Sequence, residues 1–69
     1  MKPTELLRRL NRLAAKRNLP ISITEGGNHT KLRLGDRVTV IGRHNADLKT
    51  GTLRGTLKQL GLTQADLED

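Results

Sequence analysis

A chain of 69 residues without one Phe, Tyr, Trp or Cys must build its interior from Leu, Ile, Val and Ala. No disulfide and no cysteine-ligated zinc can reinforce it. A domain of this size buries only about 60% of the surface its unfolded chain exposes. The interior is therefore thin, and the spacing of its few aliphatic residues decides the fold. A domain of this kind also gains stability from any ligand or partner selective for its folded state.

Residues 3–17, PTELLRRLNRLAAKR, carry Leu6, Leu7, Leu10, Leu13 and Ala14 at spacings of three and four, the stripe of an amphipathic helix. Pro3 suits the first helical turn, where its missing N–H costs nothing. Glu5 favours the positive end of that helix, and Lys16 and Arg17 favour the other. Arg8, Arg9, Arg12 and Lys16 fall off the stripe and read as a solvated face. Asn18, then Leu19-Pro20, stops the helix, because the residue before proline is biased away from helical angles.

Two-residue alternation follows. ISIT reads as a first strand with Ile21 and Ile23 on one face, and EGGN as a loop. HTKLRL places Thr30, Leu32 and Leu34 on one face and His29, Lys31 and Arg33 on the other. Gly35-Asp36 has the chemistry of a two-residue hairpin turn. RVTVI is a third strand, expected to turn Val38 and Val40 inward. After a polar connection, TLRGTLKQL sets Thr52, Leu53, Thr56, Leu57 and Leu60 at helical spacing, with Thr50 expected as its N-cap. Gly55 inside that helix suggests close packing on the sheet, and Gly61 ends the helix. Thr63 and Asp66 imitate a capping box at the head of a short last turn. The order α-β-β-β-α predicts one domain over residues 1–69. Two helices lie on one face of a three-stranded antiparallel meander, the layout of double-stranded-RNA-binding-like folds.

Charge is unevenly placed. All 13 Lys and Arg fall within residues 1–58 beside four acids, a local charge of +9, while residues 59–69 hold three acids and no base. A body this basic attracts polyanions. The first ten residues are broken by arginines and lack the apolar stretch of a signal peptide. No run approaches a membrane span of about 20 residues. A cytoplasmic location is the expectation.

Most catalytic templates fail. No phosphate-cradling P-loop, dinucleotide fingerprint or nucleophile elbow occurs. The one serine, Ser22, falls mid-strand. The two histidines, His29 and His44, stand fifteen residues apart without acids at metal-ligand spacing. What remains is His29 among cations. An imidazole exchanges protons near neutral pH, and RNA carries its own nucleophile, the 2′-hydroxyl, so neither metal nor protein nucleophile is required. Lys31, Arg33 and the positive end of the second helix supply charge for the phosphate. Three plainer readings stand beside this one. In the first, His29 merely opens a strand. In the second, the chain is a non-catalytic RNA-binding module. In the third, its positive surface docks an acidic protein.

Residues 26–63 resemble the HicA toxins of bacterial toxin–antitoxin pairs. The likeness rests on Gly27-Asn28-His29 at the start of the second strand and on LKTGTLRGTLKQLG, residues 48–61. Thr30 stands where many of those toxins have a second histidine, and the NLPISITEGG region is longer than theirs. The resemblance implies an endoribonuclease that cleaves messenger RNA without metal or other cofactor. It implies His29 as catalytic residue; the basic residues Lys31, Arg33, Lys49 and Arg54 are this reading's own candidates to hold the RNA backbone. It also implies a cognate HicB-like antitoxin that covers the site.

Overall fold

The computed structural model describes residues 1–42 and 47–68. Six elements follow one another: α1 (Pro3–Arg17), β1 (Ile21–Gly26), β2 (His29–Leu34), β3 (Arg37–Gly42), α2 (Thr50–Gln59) and α3 (Gln64–Glu68). The expected order therefore holds, with the short last turn formed as α3. His44 lies outside the described residues.

Helix α1 begins at Pro3 and ends where Asn18 takes a left-handed conformation, φ 57°. There the Leu19 N–H donates to the Ala14 carbonyl at 2.8 Å, closing the last turn of the helix. Its buried stripe is Leu6, Leu10, Leu13 and Ala14, with Pro3. The strands form one antiparallel sheet in the order β1-β2-β3. Gly27-Asn28 and Gly35-Asp36 make the two turns. Of these, Gly35 needs a glycine's freedom, at φ +59°, whereas Gly27 does not.

Strand β3 departs from expectation. Thr39 and Ile41 point inward, 3% exposed each, while Val38 and Val40 lie on the outer face at 44% and 54%. The turn decides this. A two-residue turn pairs Leu34 with Arg37, and paired residues share a face. Leu34 is inward, so Arg37, Thr39 and Ile41 must follow it, and the valines fall opposite. Hydrophobicity gave the right period and the wrong phase.

One core results. Leu32, Leu34 and Ile41 of the sheet meet Leu6, Leu10, Leu13 and Ala14 of α1, Leu53 and Leu57 of α2, then Leu60, Leu62 and Leu67. The helices thus cover one sheet face. The Thr39 hydroxyl donates to the Gln59 side-chain oxygen, and the position of Gly61 abuts the Arg37 guanidinium. Helix α2 therefore runs against the direction of β3, and its N-terminal end lies toward Gly42.

Two further expectations for α2 are corrected. Its N-cap is Lys49, not Thr50, and no side chain caps it. Helical angles already hold at Thr50, which is too far in for that role. Gly55 does not pack on the sheet: it is exposed, and a Cβ there would meet nothing within 4 Å. Leu53, Thr56 and Leu57 form the buried face instead. At α3, the Thr63 N–H donates to an Asp66 carboxylate oxygen at 2.8 Å, the cap that the sequence implies. Asp66 also pairs with Arg17, fastening α3 to the end of α1. Among the described residues no helix is long and apolar enough to cross a membrane.

Candidate functional site

The uncovered sheet face is assembled by alternation. Strand β2 contributes His29, Lys31 and Arg33, every second residue, all exposed. Across the pairing, β1 sets Gly26, Thr24 and Ser22 beside them, and β3 sets Gly42, Val40 and Val38 on the other side. None of these nine residues is acidic. The face therefore presents a central basic row, hydroxyls along one flank and valines along the other.

His29 stands at the end of this row. Its partners on both neighbouring strands are glycines, Gly26 and Gly42, so no directly opposite side chain screens the imidazole. Among the described residues no hydrogen bond or ion pair holds that ring. Its exposure meets the basic requirement of a group that must reach a ligand. Lys31 and Arg33 follow at intervals of about 7 Å, two strand residues each. Lys31 forms no ion pair among the described residues. Arg33 makes one weak bond, from Nε to the Gly35 carbonyl at 3.4 Å.

Lys49 and Arg54 occupy the other layer. Both are exposed on α2, which packs on the covered side of the sheet. Lys49 occupies the N-cap, and no acid stands in the first turn. The positive pole of α2 thus has no acid within its own first turn and lies at the same end of the molecule as His29. Arg54 lies one turn further along. The structure thus gathers His29, Lys31 and Arg33 on one face and leaves Lys49 and Arg54 behind it.

Elsewhere the basic charge is partly used up. Glu5 pairs with Arg8 and Arg9 on α1. Hydrogen bonds from Arg8 first, and then Arg9, hold its carboxyl below the ordinary range. Asp66 is lowered chiefly by the Thr63 backbone N–H and next by Arg17. Among the described residues Lys31 and Arg33 of β2 form no ion pair.

At the opposite end of the row from His29, a groove of about 560 Å³ opens between the start of β1 and the β2–β3 turn. Leu19, Pro20, Ile21, Ser22, Arg33 and Asp36 line it. Sequence reasoning missed this groove and the outward valines. The length of the Gly35-Asp36 turn was the signal for the valines. No comparable signal marks the groove, which depends on how the α1–β1 connection meets the hairpin. Among the described residues no three His, Asp or Glu side chains are grouped to hold a metal ion. Comparison with protein-family models, with curated proteins and with solved structures finds no significant match to the chain.

Proposed function

We propose that this chain is a metal-independent endoribonuclease of double-stranded-RNA-binding-like fold, the messenger-RNA-cleaving toxin of a toxin–antitoxin pair. The observation that carries this reading is the exposed His29 at the head of an acid-free basic row. The HicA-like segments noted in the sequence supply the biological setting. In this reading Lys31 and Arg33 hold the RNA backbone, and Lys49 and Arg54 add attraction from behind. The neutral His29 imidazole accepts the proton of a ribose 2′-hydroxyl. The 2′-oxygen then bonds to the adjacent phosphorus as the bond to the 5′-oxygen breaks. The departing 5′-oxygen takes a proton from the imidazolium or from water. The products are a 2′,3′-cyclic phosphate and a 5′-hydroxyl.

Growth and RNA integrity on expression test this reading directly. Wild-type protein arrests growth and fragments messenger RNA, whereas His29→Ala does neither. A neighbouring acidic antitoxin restores growth. Equal toxicity of the two forms overturns the assignment of His29.

One observation favours a second reading, a non-catalytic RNA-binding module. His29 has no hydrogen-bonded partner among the described residues to fix its tautomer, as catalytic imidazoles commonly have. Purified protein that binds RNA with a steep salt dependence, yet leaves it intact, selects this alternative.

A further inference from the structure

Resting on the RNA reading above, we infer that the outer sheet face binds an extended single strand laid along β2, with successive phosphates on His29, Lys31 and Arg33. Three observations place it so. The first is spacing. The three side chains leave one strand at every second residue, about 7 Å apart, close to the separation of neighbouring phosphates along an extended single strand. The second is composition of the flanks. Val38 and Val40 stand outward beside Arg33 and Lys31, while Ser22 and Thr24 stand on the other side. The valines offer unpaired bases an apolar contact and the hydroxyls offer partners to ribose or phosphate oxygens. A duplex keeps its bases stacked inside and gives the valines nothing to cover. The third is where the row ends. Beyond Arg33 the groove wall includes Asp36, a carboxylate that repels a further phosphate.

The consequences are specific. The footprint is three phosphates, with His29 at one end. With no aromatic residue in the chain, the face has no stacking platform of the kind that single-strand binders use. Affinity therefore comes mainly from phosphate contacts, and base preference along the row is weak.

The test uses four-nucleotide strands with three internal phosphates, carrying 2′-deoxyribose so that none can be cut. A single neutral methylphosphonate is placed at each phosphate in turn. Binding is followed by NMR titration at low salt for wild type, Lys31→Met and Arg33→Met. In wild type, replacement at either of the two phosphates assigned to Lys31 and Arg33 weakens binding about two- to fivefold, the range of an exposed ion pair. Replacement at one phosphate adds no further loss in Lys31→Met. The phosphate one nucleotide beyond it behaves likewise in Arg33→Met. Each variant also lowers the slope of log affinity against log salt by about 0.7. Losses independent of which variant is titrated indicate diffuse attraction and overturn the inference, as do unchanged salt slopes. The all-ribose strand is assayed for cleavage in parallel. If wild type binds with the stated coupling but does not cut it, the ribonuclease reading falls and the strand path stands.

Discussion

His29 and Leu32 sit three residues apart on one strand and face opposite media. His29 is exposed and touches no opposite side chain, so His29→Ala should change stability by less than about 0.5 kcal/mol. Leu32 is fully buried in the core between the sheet and the helices that cover it. Leu32→Ala should cost about 2–5 kcal/mol, enough to unfold much of a domain this small. Thermal melts of the two variants check the contrast. This distinction was legible in the sequence, because the alternation in HTKLRL separates the two faces without ambiguity. The phase of Val38 and Val40 was legible only through the turn. Two residues between strands force Arg37 to share the side of Leu34, and that geometric rule outranks the hydrophobicity of valine. Thr39 then enters the core, where its hydroxyl finds Gln59. Reading RVTVI by hydropathy alone hides this.

Helix α2 carries two features that cost it stability. Gly55 lies in its interior with open space where a Cβ would stand. Gly55→Ala should therefore stabilise the fold by about 0.8–1 kcal/mol, raising Tm by about 4–8 °C. A lower Tm would mean that the site is crowded after all. Lys49 occupies the N-cap with no capping side chain and no acid in the first turn. Lys49→Asp should add about 1 kcal/mol by capping the free N–H groups while weakening RNA binding, two effects of opposite sign that a melt and a titration separate. The helix boundaries came from leucine spacing and the stop signals Asn18 and Gly61. Neither the open side of Gly55 nor the bare cap follows from spacing, since both depend on where the helix rests against the sheet. The groove beside Arg33 belongs to the same class of feature, made by the meeting of two connections distant in sequence.

Among the described residues, charge is divided between cations that form ion pairs and cations that form none. Glu5 and Asp66 are held below their ordinary carboxylate range by the arginines and the backbone N–H that bind them. Their folded values lie under the unfolded ones. The stability they contribute is therefore present above the unfolded carboxylate range, near pH 4, and is lost as pH falls through the folded values. The double variant Glu5→Gln, Asp66→Asn should show a shallower loss of Tm between pH 5 and pH 2 than wild type. Arg8, Arg9 and Arg17 are tied to carboxylates, whereas Lys31 and Arg33 form no ion pair among the described residues. That division was half visible in the sequence. The net charge of +6 shows the excess of cations, but only the pairing of Arg8, Arg9 and Arg17 shows which of them are occupied. The most direct measurement of the central claim is a gel assay of purified protein on single-stranded RNA in the presence of chelator, wild type beside His29→Ala. Cleavage by wild type that leaves 2′,3′-cyclic phosphate ends and vanishes in the alanine form, with RNA binding retained, is the predicted result. Cleavage at equal rates by both forms would contradict it.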